Sequence, residues 1–190
     1  MKCDIMLAGV GGQGVLSLAA LIGRAAVAEG LQVKQSEVHG MAQRGGAVLS
    51  HLRLSDQVIA SDLIPLGTAD LILSMEPLES LRYVAYLSPT ATVVTAADPF
   101  VNIPDYPPKE EIVAKVRRLP RAVLVEAERL AREAGDVVSK NTVMVGAAAH
   151  LLPLKRESFE GAIRQTFGAK GDRALEMNFA AFEAGWKVPA

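Results

Sequence analysis

The hydrophobic pattern changes period twice within the first forty positions. Lys2 to Ala8 (KCDIMLA) is a short, mostly apolar run suited to a buried parallel strand. Gly9 to Gly14 (GVGGQG) interrupts it, and Val15 to Glu29 then spreads Leu, Ala, Ile and Val over a helical period, with Gly30 as the stop. Leu31 to Val38 alternates apolar and polar residues, predicting a second strand and closing a β-α-β unit.

A polar, glycine-rich loop, His39 to Gly46, follows. Ala47 to Leu54 alternates again, and Ser55-Asp56-Gln57 reads as a turn into a short strand, Val58 to Ala60. Ala69 to Ser74 predicts a strand, Leu78 to Leu87 a helix with Pro77 in its first turn, and Ala91 to Ala96 a strand. The prolines within Asp98 to Pro108 mark an extended loop. Lys109 to Leu119 predicts a helix, Arg121 to Val125 a strand, and Glu126 to Ala134 a helix ended by Gly135. Asn141 to Leu152, Leu154 to Phe167 and Gly171 to Trp186 complete the pattern as helices.

Strands alternating with helices predict a mostly parallel sheet covered on both faces. The expected architecture is a Rossmann-like three-layer α/β fold over a single domain, residues 1–190. Its sheet is mixed, because the hairpin-like pair around Ser55 adds an antiparallel element. The C-terminal helical cluster packs against one end.

Composition narrows the function. Half of the 190 residues are hydrophobic, which excludes general disorder, and a formal net charge of −1 gives no broad field for nucleic acid or anionic lipid. One cysteine, Cys3, excludes an intrachain disulfide, a Cys₄ zinc site and a cluster held by this chain alone. The histidines His39, His51 and His150 lack metal-ligand spacing, with only His39 and His51 candidates for pairing in space; no metal site is expected. The charge-free stretch Ile5 to Gly23 has glycines and Gln13 at its centre, so it reads as strand, turn and helix rather than as a leader or membrane span. A cytoplasmic protein is expected.

Gly9-Val10-Gly11-Gly12-Gln13-Gly14 matches G-x-G-x-x-G between a strand and a helix. Such glycines let backbone approach a phosphate while the unpaired N–H groups of the helix start favour an anion. They equally let a helix pack tightly on strands. Glu37 lies where a dinucleotide site would want an acidic residue for a ribose hydroxyl. Beyond it, His39, Gln43 and Arg44 place an imidazole, an amide and a cation among Gly40, Met41, Gly45 and Gly46. Arg44 can grip a phosphate or a partner's carboxylate, or simply neutralise Glu37.

Together, VGGQG, SEVHGMAQRGG, DLILSMEPLESLR, NTVMVGA and the terminal MNFAAFEAG resemble the gamma-type component of 2-oxoacid:ferredoxin oxidoreductases, nearest to the indolepyruvate branch. The resemblance covers nearly the whole chain. It implies a subunit of a complex that converts an arylpyruvate and CoA to an aryl-acetyl-CoA, releasing CO₂ and passing electrons to ferredoxin. It also implies a larger partner subunit carrying thiamine diphosphate, Mg and 4Fe-4S clusters, with none of these held by this chain. By the same resemblance, Gly9, Gly11, Gly12, Gln13 and Gly14 form one cofactor-facing loop, and Glu37, His39, Gly40, Met41, Gln43, Arg44, Gly45 and Gly46 the other. Glu76-Pro77 and Asn141 match later signature positions, and no residue is assigned a catalytic role.

Two other readings stand beside this one: an NAD(P)-binding reductase built on Gly9, Gly11, Gly14 and Glu37, and a non-catalytic assembly module. Phe179, Phe182 and Trp186 recur at helical spacing, as core packing or as a partner-facing patch.

Overall fold

The computed structural model describes residues 1–39 and 45–189. Six strands form one sheet: β1 (Lys2–Val10), β2 (Gln32–His39), β3 (Ala47–Ser55), β4 (Ala69–Ser74), β5 (Leu87–Ala96) and β6 (Ala122–Val125). Their order is β2-β3-β1-β4-β5-β6. β1, β4, β5 and β6 run parallel, while β3 lies antiparallel between β1 and β2. The mixed sheet is as expected, but its antiparallel element is not. Val58 to Ala60 is not a strand, and Val58 is exposed. The Arg53 guanidinium instead donates to the carbonyls of Ser61 and Leu63, holding that segment as a loop.

The helices are α1 (Val15–Ala28), α2 (Pro77–Arg82), α3 (Lys109–Arg117), α4 (Ala127–Ala134), α5 (Lys140–Ala149), α6 (Arg156–Phe167) and α7 (Asp172–Trp186). α2 is shorter than its apolar spacing predicts. It ends at Arg82, a 3₁₀ turn covers Val84–Tyr86, and β5 already begins at Leu87, which pairs with Ala69.

Strand alternation sorts the core. Ile5, Leu7, Leu52, Leu71, Leu73, Val94 and Val125 point to one face, beneath α1 and the C-terminal helices. Met6, Ile72 and Val93 point to the other, where Ile64, Tyr83 and Tyr86 cover them. The C-terminal cluster thus lies over a face of the sheet, beside α1, rather than against one end. α5 and α7 cross closely because glycines meet there. A Cβ on Gly146 would lie 2.3 Å from the Phe182 carbonyl oxygen, and one on Gly185 would lie 2.0 Å from that of Val143. Inside the crossing, Thr142 Oγ1 donates to Asn178 Oδ1 at 2.6 Å. Phe182 is buried against Phe159, and Phe179 and Trp186 lie under the guanidinium groups of Arg164 and Arg156, so this aromatic series serves packing. Among the described residues, no helix is long and apolar enough to cross a membrane.

Candidate functional site at the carboxyl rim

β1 ends at Val10 and β3 begins opposite it at Ala47, so the two glycine bends leave the sheet side by side. Backbone bonds join them. Gly11 N–H donates to the Gly46 carbonyl at 2.7 Å, and Gly45 N–H donates to the Gly11 carbonyl at 3.3 Å. The predicted meeting of the two bends therefore holds for Gly11, Gly45 and Gly46. Gly40, Met41, Gln43 and Arg44 lie outside the described residues, as does the side chain of His39.

The glycines of the first bend have different local reasons. Gly14 caps α1 in the left-handed region at φ 75°, and an added Cβ would come within 2.3 Å of Asn141 Nδ2. Gly12, at φ 99°, faces open space, so only its backbone conformation requires glycine. Gly9 is strand backbone with Val15 and Met75 pressed against it.

Side-chain amides fasten the bends. Gln13 turns inward: its Oε1 accepts the Val10 N–H at 2.8 Å, and its Nε2 donates to the Met75 carbonyl at 3.3 Å. Asn141, in the first turn of α5, donates to the Gly14 carbonyl at 2.9 Å. Asn102, from the proline-rich excursion, donates to the Gly45 carbonyl at 2.6 Å. Each amide takes a backbone carbonyl and adds no net charge to the rim. Asn141 was visible as a signature position; Asn102 was not singled out, because nothing in the spacing of a proline-rich loop reveals a contact 57 residues away.

Between the fastenings lies a cleft of ≈ 620 Å³, bounded by the first bend and Gly45 on one side and by Phe100, Glu128, Val137, Val138, Lys140 and Asn141 on the other. Lys140, largely buried, stands 3.6 Å from Glu128 and is the cation lining the cleft among the described residues. It too escaped the sequence reading. Behind the rim, Glu76 begins α2 with its carboxylate buried: Oε2 accepts the Glu79 N–H at 2.8 Å, while Oε1 accepts the Phe100 N–H at 3.3 Å and the Tyr106 hydroxyl. Burial, followed by the bond to Glu76, pushes the Tyr106 hydroxyl pKa upward. Burial likewise raises Glu79, one of whose carboxylate oxygens has no partner.

Glu37 is placed otherwise than a dinucleotide site requires. Its position on β2 pairs with Ser50 of β3, and Ser50 in turn pairs with Leu7 of β1. A whole strand therefore separates it from the glycine strand, putting it about 10 Å away across the sheet. In a dinucleotide fold the two strands are neighbours. His51 Nδ1 accepts the Ile64 N–H at 3.1 Å, and burial lowers its pKa; the side chain of its candidate partner, His39, lies outside the described residues. Cys3 is buried in β1, its thiol pushed up to about 12 chiefly by that burial.

Comparison with known proteins agrees with this frame. The indolepyruvate oxidoreductase subunit IorB of Pyrococcus horikoshii is 39% identical, over 97% of this chain and 95% of its own. That of Archaeoglobus fulgidus is 36% identical, over 98% and 94%. A 2-oxoglutarate:ferredoxin oxidoreductase from Magnetococcus marinus, solved with 2-oxoglutarate, coenzyme A and succinyl-CoA, shares the fold with a TM-score of 0.78 at 22% identity. There the match covers 98% of this chain and 31% of that longer one. The model of the pyruvate ferredoxin/flavodoxin oxidoreductase family matches residues 4–188, and the chain belongs to that family.

Proposed function

We propose that this chain is the IorB-type subunit of an indolepyruvate:ferredoxin oxidoreductase. In that reaction an arylpyruvate loses CO₂, its acyl carbon is transferred to CoA, and two electrons pass to ferredoxin. Thiamine diphosphate, Mg and the 4Fe-4S clusters belong to the larger partner subunit. The single cysteine here, buried and held as a thiol, supports that division, since cluster ligation needs several accessible thiolates.

The observation that carries the reading is the hydrogen-bonded junction of Gly11 with Gly45 and Gly46, set at the carboxyl rim beside an open cleft. Backbone N–H groups presented by a glycine bend at a helix start suit a diphosphate, and we assign that role to the CoA diphosphate. Gly12 and Gly14 supply the backbone, Gly11 ties it to the second bend, Gln13 holds its shape, and Lys140, paired with Glu128, lines the cleft. We assign the face beside Gly45 and Gly46 to contact with the partner subunit. The exposed side chains of Phe100, Val101 and Val138 beside the cleft favour contact with that partner. The work of this chain is positioning and charge complementarity for a reaction centre held elsewhere.

Reconstitution tests the proposal. The larger subunit with an arylpyruvate should reach full CoA-dependent ferredoxin reduction only when this chain is added. Gly12→Ala, which strains the bend without filling any space, should raise the KM for CoA about tenfold in an assembled complex. Full turnover without the chain would reject the proposal. Lost assembly with an unchanged CoA KM would favour a purely architectural role.

A further inference from the structure

The excursion between β5 and α3 has little means of holding its own shape. Pro99, Pro104, Pro107 and Pro108 remove four backbone donors from it. Its one internal backbone bond joins Tyr106 N–H to the Ile103 carbonyl at 3.3 Å. Two external attachments converge on one atom, Glu76 Oε1, which receives Phe100 N–H and the Tyr106 hydroxyl. The five residues between them include Asn102, whose amide holds the Gly45 carbonyl. Gly45 is bonded in turn to Gly11.

Capping α2 accounts for only part of Glu76. The cap uses Oε2, on a helix of six residues. The other oxygen reaches residues 24 and 30 positions onward, and Glu76 as a residue is 1% exposed. Glu76 is fixed to the sheet, because its own N–H donates to Ser74 Oγ at the end of β4. A continuous series of bonds therefore runs from the end of β4, through the excursion, to the junction of the two bends. A buried carboxylate acceptor makes its first link stronger than a neutral one would be.

We propose that Glu76 and Tyr106 are positioning residues: they hold the 100–106 span so that Asn102 fixes Gly45, and through it Gly11, in the geometry that receives CoA. The inference rests on the function proposed above.

Tyr106→Phe removes only the hydroxyl, and Asn102→Ala cuts the series farther along without touching Glu76. Hydrogen exchange on the full chain should be about tenfold faster in peptides spanning 9–14 and 45–48 for both variants, each losing one hydrogen bond, to a carboxylate in the first and to a carbonyl in the second. In the reconstituted complex both should raise the KM for CoA about five- to tenfold, leaving kcat and the KM for the arylpyruvate unchanged. Unchanged exchange at those peptides overturns the coupling. Faster exchange with an unmoved CoA KM overturns the positioning role. A wild-type complex that turns over fully without this chain rejects the proposed function instead, and the exchange result still decides whether the span holds the bends.

Discussion

The two rims of the sheet are held together in opposite ways. At the carboxyl rim, Gln13, Asn102 and Asn141 fasten the backbone with neutral amides. At the amino rim, charge does this work: Arg53 grips the buried Asp4 through two bonds, at 2.8 and 3.1 Å, and Lys2 adds a third cation–carboxylate contact at 2.8 Å. The remaining Arg53 nitrogen closes the loop over residues 61–63. Asp4 and Arg53 face each other because their strands pair in that register. An ion pair so enclosed has its charges satisfied from within. The carboxyl rim instead is fastened by neutral amides and by the backbone bonds between Gly11, Gly45 and Gly46.

Three substitutions or conditions separate these designs. The largest loss of stability should come from Arg53→Met, which strands Asp4 with only the exposed Lys2 as partner; about 3 kcal/mol is expected in urea denaturation. In the assembled complex its CoA KM should not move. Gly14→Ala should cost less, about 2 kcal/mol, from left-handed strain and displacement of Asn141. It should nevertheless raise the CoA KM, so the smaller stability loss carries the larger functional one. If both variants moved the KM equally, the contrast between the rims would be lost.

The smallest effect concerns pH. Burial lowers the His51 pKa below its ordinary 6.5, with Asp62 opposing and Arg53 reinforcing the shift. Below 6.5 the unfolded chain takes up the proton first, so stability should fall as pH drops from there toward the folded value. His51→Asn should flatten that slope. A slope unchanged in the variant would show that another group dominates it.

Legibility from the sequence followed the range of the forces involved. β4 was read at Ala69–Ser74 as it stands, because its interior residues are buried on both faces and its ends are marked. Ala47 to Leu54 was read as a strand, but its insertion between β1 and β2 was not, since alternation reveals a face and never a neighbour. That insertion also removed the meaning of Glu37 for a dinucleotide. Val58 to Ala60 reads as a strand because it is largely apolar; the Arg53 guanidinium instead holds the residues just beyond it, Ser61 and Leu63, as a loop. The first bend was visible as glycines with Gln13, and Asn141 as a signature position, whereas the bond that joins Asn141 to the bend across 127 residues was not. Glu76 stands out in the sequence as a signature position with Pro77, and the contacts of its second oxygen have no signal there at all.

The glycine crossing of α5 and α7 carries its effect beyond the core. Gly146 is five residues past Asn141 on the same rigid helix, about 7.5 Å along its axis. Were a methyl group to pry the two helices apart there, the near end of the rod would tilt and lift its amide from Gly14. The distance of closest approach between two C-terminal helices is thus a hidden dimension of a glycine bend built from the N-terminus.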